Sequence, residues 1–232
     1  VLRAIEEQVE VTGEILAAMG YAGNAVRLIT PSDLSADLTG LMPEISGAGF
    51  SGTGGKRQTA YLAVDHLYEQ ATRPKPLANL PAGAPFGTAY VTEQDCTLCF
   101  ACVGACPGKA LQAGEGAPGL KFIEANCLQC GMCTRTCPEN AIWITPRLLF
   151  DRPARHKLRT LYEEEPFRCT SCGKPFATRS VIDSMFAKLQ GHWMFQDERA
   201  RKRLTMCEDC RVVDAVQDPD AMEAGINGQK FQ

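Results

Sequence analysis

Leu2, Ile5, Val9, Ile15, Leu16 and Met19 fall roughly on one helical face and Gly20 is suited to end it, so residues 1–20 read as an amphipathic helix. The apolar run 25–29 predicts a short strand stopped by Pro31, and Ser32 or Asp33 can cap a short helix through about residue 41. The glycine-rich stretch 47–55 reads as a flexible joint ahead of a second helix over about 56–70. Pro74, Pro76, Pro81 and Pro85 then mark a linker, because proline lacks the backbone donor and restricts the residue before it. Beyond it, short strands are expected at 88–92, 110–112, 121–124 and 141–145, with Trp143 and Phe150 in the core. A polar stretch leads on to helices at about 180–190 and 197–204. The pattern predicts an α+β chain in four parts: a mainly helical segment at 1–72, a linker at 73–87, a strand-rich unit at 88–150 and a C-terminal module with its tail at 151–232.

The cysteines change this picture most. All twelve fall into three sets of four. Cys96, Cys99, Cys102 and Cys106 follow C-x2-C-x2-C-x3-C-P, and Cys127, Cys130, Cys133 and Cys137 repeat it. Shifting the chain by 31 residues lays these cysteines on one another, with Pro107 on Pro138, Ala110 on Ala141 and Leu111 on Ile142, so 88–150 is a duplicated unit. Cys169, Cys172, Cys207 and Cys210 form two C-x2-C knuckles 34 residues apart. Disulfides fit none of this, because cysteines two residues apart are badly placed to bridge each other.

The two four-cysteine runs, each closed by proline, resemble the bacterial two-cluster ferredoxins. The resemblance implies a ferredoxin-like pseudo-twofold domain in which three cysteines of each run hold one 4Fe-4S cluster and the fourth reaches the other. One cluster would then be held by Cys96, Cys99, Cys102 and Cys137, and the second by Cys127, Cys130, Cys133 and Cys106. Small residues at Gly104, Ala105 and Gly131 would let backbone amides approach the sulfurs. With a cysteine for every iron position, neither cluster would have the open site that substrate activation requires.

The third set suits a single tetrahedral ion held by thiolates. Zinc is its expected occupant, with mononuclear iron or a third cluster as alternatives. Its first knuckle resembles a zinc ribbon or rubredoxin, while the second lacks the matching glycine after Cys210. The expected C-terminal part is therefore a four-cysteine zinc-binding module.

Charge and composition exclude more than they assign. With 24 Lys+Arg against 27 Asp+Glu the formal charge is −3, and two oxidised clusters and a zinc with four thiolates each would take it to about −9. Nucleic acid is therefore an unexpected partner, and a basic face on a redox protein an expected one. No apolar run is long enough to span a bilayer. With no signal-peptide pattern the chain reads as cytoplasmic, and a start at Val1 leaves room for preceding residues. The segment from Gly49 to Arg57 fails the phosphate-loop register, since Phe50 stands where the first glycine belongs and Arg57 replaces Ser or Thr. Arg152, Arg155, His156, Lys157 and Arg159 read as a solvated face, with a docking patch as the alternative. His66, His156 and His192 read as isolated imidazoles.

Two broader resemblances bear on context. Residues 1–30 are similar to the end of the small iron-sulfur (delta) subunit family of methyl-viologen-reducing hydrogenases. The order of proline-rich segment, two clusters, then Pro166, Phe167, Arg168 and Cys169 resembles the larger 4Fe-4S proteins associated with bacterial molybdenum formate dehydrogenases. Together these imply an electron-transfer protein or subunit working between a redox enzyme, such as a molybdenum formate dehydrogenase or a flavoprotein, and an acceptor. The rival readings are a zinc-ribbon interaction or nucleic-acid-binding protein with structural clusters, and the C-terminal part of a complete oxidoreductase.

Overall fold

The computed structural model describes residues 2–21, 26, 45–52 and 54–218; the strand expected at 25–29 and the helix expected to about 41 lie outside the described residues, except for residue 26. Helix α1 (Leu2–Met19) ends where the sequence places its glycine. Gly20 takes φ +91°, its amide donates to the Ala17 carbonyl, and the Tyr21 amide reaches back to Leu16, both at 3.0 Å. This paired closure satisfies carbonyls that the helix end would otherwise leave open. Only the last turns of α1 are covered: Ile15, Ala18 and Met19 are buried, whereas Ile5 is exposed. Its expected apolar stripe is therefore used at the C-terminal end alone.

Helix α2 (Lys56–Glu69) buries Tyr61 and Val64 in the same core as that turn. Strand β1 (Leu77–Asn79) follows, and β2 (Gly87–Val91) opens the duplicated unit. The short helix α3 (Ala101–Gly104), strands β3 (Leu111–Ala113) and β4 (Gly119–Phe122), and helix α4 (Met132–Thr136) lead to the long strand β5 (Ile142–Leu149). β5 pairs antiparallel with β2 as far as Pro146, then with β1 from Arg147 to Leu149. The change of partner falls at the residue that has no amide to give to a ladder. A second sheet has the order β3-β4-β6, with β6 at Arg159–Glu163. Helix α5 (Arg152–His156) joins β5 to β6 and is capped by Asp151, whose carboxylate accepts from the Ala154 amide at 2.9 Å.

The C-terminal part begins with a hairpin of β7 (Pro166–Arg168) and β8 (Pro175–Thr178). Helices α6 (Arg179–Leu189), α7 (Glu198–Arg203) and α8 (Glu208–Val216) follow. Thr178 caps α6 and Asp197 caps α7, each accepting from the amide three residues on. The chain is thus α+β, with helices and small antiparallel sheets. Among the described residues no helix is long and apolar enough to cross a membrane.

Three clusters of buried side chains organise these elements. The first joins the end of α1, α2, the 78–86 stretch, Leu148 and Phe150. The second lies between the two sheets, where Ala89, Ile142, Leu111, Leu120 and Phe122 meet the cysteines of the duplicated unit. The third is small: Cys169, Met206 and Cys207 with Phe176 and Cys210.

Several expectations need correction. The 73–87 stretch is not an open tether: its prolines bracket β1, and Ala78, Leu80, Ala84 and Phe86 are buried in the first core. Trp143 is 46% exposed, because strand alternation sends Ile142 inward and turns Trp143 outward, where it stacks on its cross-strand partner Tyr90. Phe150 is in the core as expected. The basic stretch after it is not a uniformly solvated face. Arg155 is fully buried, donating to both Asp65 oxygens at 2.7 and 3.0 Å and to the Leu149 carbonyl at 2.9 Å. Its guanidinium lies 4.4 Å from the centre of the Tyr61 ring.

Candidate metal centres

The two cysteine loops of the duplicated unit repeat each other in backbone as well as sequence. Leu98, Phe100 and Lys109 have φ of 53°, 58° and 51°, and the residues 31 positions on, Gln129, Gly131 and Asn140, have 53°, 73° and 52°. Left-handed conformations cost about 1 kcal/mol or more at residues with a side chain. Such conformations let backbone N–H groups line a concave loop that suits an anionic centre. The short helices α3 and α4 then carry Cys102 and Cys133 inward. Past each fourth cysteine the chain returns an amide to its sulfur: Ala110 N to Cys106 Sγ and Ala141 N to Cys137 Sγ, both at 3.3 Å.

This folding brings eight cysteines together in two crossed groups. One cavity is lined by Cys96, Cys99, Cys102 and Cys137. The other is lined by Cys106, Cys127, Cys130 and Cys133. Each therefore takes three sulfurs from one loop and the fourth from the other. The remaining walls are largely apolar, including Val91, Leu120 and Ile142 in the first cavity and Ala89, Leu111 and Phe122 in the second.

The thiols themselves show what such a cavity needs. Burial pushes Cys102 up to about 12, and Cys96, Cys99, Cys133 and Cys137 push in the same direction. Burial likewise pushes Cys133 up to about 11, helped by Cys127, Cys106 and Cys130 and opposed by the Thr134 amide. Four thiolates cannot share either space without a cationic core among them. A cubane of iron and sulfide answers that demand, and its four-thiolate ligation matches the donor set of each cavity.

Charged side chains outside the cysteine runs surround these cavities unequally. Arg57, at the start of α2, donates to the carbonyls of Ala125 (3.0 Å) and Cys127 (2.7 Å), to the Pro85 carbonyl at 2.6 Å and to the Tyr61 hydroxyl at 2.9 Å. The failed phosphate-loop position is thus a clamp on the second cysteine loop. Arg159 donates to Thr88 Oγ1 (2.6 Å) and the Ala89 carbonyl (3.0 Å). The buried Glu124 is held by Arg147 through two bonds of 3.0 and 2.7 Å. Nothing local in the sequence marks these residues. Gln129, whose amide reaches Cys127 Sγ at 3.4 Å, is marked, since the self-alignment puts a polar residue there against Leu98.

The third set closes on a much smaller space. The sulfurs of Cys169, Cys172, Cys207 and Cys210 all lie within 4.8 Å of one another, and Cys172 and Cys207 are 3.7 Å apart. A tetrahedral ion with metal–sulfur bonds of about 2.3 Å requires sulfur separations of about 3.8 Å. The fit is to one ion, because a cubane would hold its sulfurs much farther apart. In the first knuckle Gly173 (φ +75°) sends its amide to the Cys169 carbonyl at 2.9 Å. The second knuckle needs no such glycine, because Cys207 is the N-cap of α8 and Cys210 lies in its first turn. The Cys169 thiol is pulled down to about 6: burial opposes this, and amides of Cys207, Cys172 and Ser171 with the Cys172 thiol outweigh it. The histidines stay outside all three sets; His66, for example, contacts the Ser46 carbonyl and Gln70.

A search of curated proteins finds no match to the chain. Residues 95–142, which carry all eight cysteines of the two crossed groups, match the family model of the 4Fe-4S dicluster domain, and this part of the chain is an iron-sulfur ferredoxin-type domain.

Proposed function

We propose that the chain is an electron-transfer protein or subunit that relays single electrons through two 4Fe-4S clusters. Cys96, Cys99, Cys102 and Cys137 hold one, and Cys127, Cys130, Cys133 and Cys106 the other, in a ferredoxin-like pseudo-twofold arrangement. The observation that carries this reading is the crossing of the fourth cysteine between two largely apolar cavities. A cluster there supplies reversible one-electron chemistry. The chain's residues hold it, exclude water with the apolar walls and aim amides at Cys106 and Cys137. With every sulfur position filled, the domain carries electrons and does not activate substrate.

The four-cysteine module is read as a zinc site that folds residues around 166–213, supported by the separations suited to a single ion. The donor or acceptor is read as a redox enzyme such as a molybdenum formate dehydrogenase or a flavoprotein, from the order of segments in the sequence. The parts at 1–72, 88–150 and 151–232 keep their roles in this reading, with 73–87 as a packed wall between the first two. Anaerobic analysis should give eight irons and eight acid-labile sulfides per chain, and reduction should bleach the visible absorbance. A chain holding zinc alone and no sulfide would refute the assignment.

A further inference from the structure

We infer that the two cavities are poised at different potentials, that the one formed by Cys106, Cys127, Cys130 and Cys133 is the more readily reduced, and that Gln129, Arg57 and Arg159 set the difference. This rests on the two-cluster reading above. The duplication makes each cavity a control for the other. Both have the same left-handed positions, the same 3.3 Å amide to the crossing sulfur and one exposed cysteine, Cys99 or Cys130. A difference in potential must come from what is not repeated.

Three unrepeated features beside the second cavity act in one direction. Gln129 Nε2 donates to Cys127 Sγ at 3.4 Å and to the Thr88 carbonyl at 3.2 Å, while the matching Leu98 is buried and has no donor. Gly87 leaves room for that amide, since a Cβ there would lie 2.3 Å from Gln129 Nε2. Arg57 is fixed against the Cys127 carbonyl by neutral acceptors and the faces of Tyr61 and Phe86. Arg159 is fixed 5.0 Å from the centre of Phe122, a wall of the same cavity. Neither arginine has a carboxylate partner among the described residues, and nearby Glu124 is already neutralised by Arg147.

The first cavity has the opposite surroundings. Glu139 forms part of its wall, with its charge shared with Lys188. Glu164 accepts from the Ser180 amide (3.1 Å), Ser180 Oγ (2.6 Å) and the Tyr162 hydroxyl (3.3 Å), with no cation partner among the described residues. Ser180, which holds it, lies two residues from Thr178, whose hydroxyl donates to the Thr97 carbonyl at 3.3 Å, so Glu164 sits beside the first cysteine loop. Taking up an electron makes a four-thiolate cluster one unit more negative, so cations and N–H donors favour the reduced form and a fixed carboxylate opposes it. One electron from a one-electron donor therefore comes to rest in the second cavity. Transfer from first to second is downhill and involves no bond or proton.

The test is an anaerobic redox titration of the full holoprotein with dithionite and mediators, read by electron paramagnetic resonance. Gln129→Leu installs the residue that the first loop already accommodates. It should lower the higher of two midpoint potentials, cutting the reduced-to-oxidised ratio at fixed potential about tenfold, which is about 59 mV for one electron. The lower potential should stay in place. Arg57→Gln should act with the same sign and Arg57→Lys should restore much of the loss, whereas Glu164→Gln should raise the lower potential alone. Eight irons per chain with two coincident potentials, or with Gln129→Leu moving the lower couple, overturns this inference alone. A wild-type holoprotein without eight irons overturns the two-cluster reading and this inference with it.

Discussion

Replacing Arg155 with methionine should loosen the first core while leaving the iron-sulfur domain intact. Arg155 is fully buried and its partner Asp65 is mostly so, with 13% of its side chain exposed. The substitution removes two charge-assisted hydrogen bonds to Asp65 and one to the Leu149 carbonyl. Asp65 keeps only the exposed Arg152, at 3.8 Å. Breaking a buried pair by removing one partner costs about 3–5 kcal/mol, chiefly through the charge left behind. At a factor of ten per 1.4 kcal/mol, amides that exchange by opening this core should exchange about 10² to 4 × 10³ times faster. Hydrogen exchange read by mass spectrometry on the holoprotein localises the effect without assuming two-state unfolding. The acceleration should cover α2, β1, α5 and the end of α1, and within 95–142 should be confined to the 123–127 segment that α2 contacts. Adding Asp65→Asn removes the stranded charge and should recover part of the loss. Unchanged exchange in Arg155→Met, or a double variant worse than the sum of the singles, would refute the reasoning.

The remaining expectations concern the metal sites. Cys137→Ala should perturb the cluster held by Cys96, Cys99 and Cys102, and Cys106→Ala the other, as resolved by paramagnetic resonance; effects confined to each residue's own motif would contradict the crossing. Cys172→Ser should remove about one zinc per chain by elemental analysis and make residues around 166–213 protease-sensitive, with the eight irons retained. Gly87→Ala should sharply reduce iron incorporation, because the added Cβ would meet the Thr145 carbonyl and Gln129 Nε2 at 2.3 Å each; normal iron content would show that the strand yields more easily than its pairing implies.

The grouping of the cysteines is legible in the sequence because each set has a fixed spacing, and a 31-residue offset exposes the duplication before any fold is known. The helices at 56–70, 180–190 and 197–204 were legible from periodicity and caps, and the four strands of the duplicated unit from their apolar runs. β1 was not, because three residues between prolines make a strand only when β5 extends past Pro146 to meet them. β6 was hidden in a run of charged residues, and its pairing with β4 shifts register between Leu120 and Lys121. Arg155 was misread for a related reason: its neighbours are exposed, and only the capped turn of α5 points this one arginine at Asp65.

The flanking parts matter to the cysteine domain because of its duplication. Two copies of one motif present each cavity with nearly the same backbone, so apart from differences inside the repeat such as Gln129 against Leu98, their asymmetry must enter from outside 95–142. It enters at opposite ends of the chain. Helix α2 supplies Arg57 to the carbonyls of Ala125 and Cys127, beside the second cavity. The C-terminal part approaches the first cavity instead: Thr178 Oγ1 donates to the Thr97 carbonyl at 3.3 Å, Lys188 pairs with Glu139, and Ser180 holds Glu164 in place. Thr178 also caps α6, so the hydroxyl that starts this helix ties the four-cysteine module to the first cysteine loop. In the proposed reading, an ion held by Cys169, Cys172, Cys207 and Cys210 would fix the knuckles and so order the module that α6 belongs to, and with it the Ser180 contact that holds Glu164 beside the first cysteine loop.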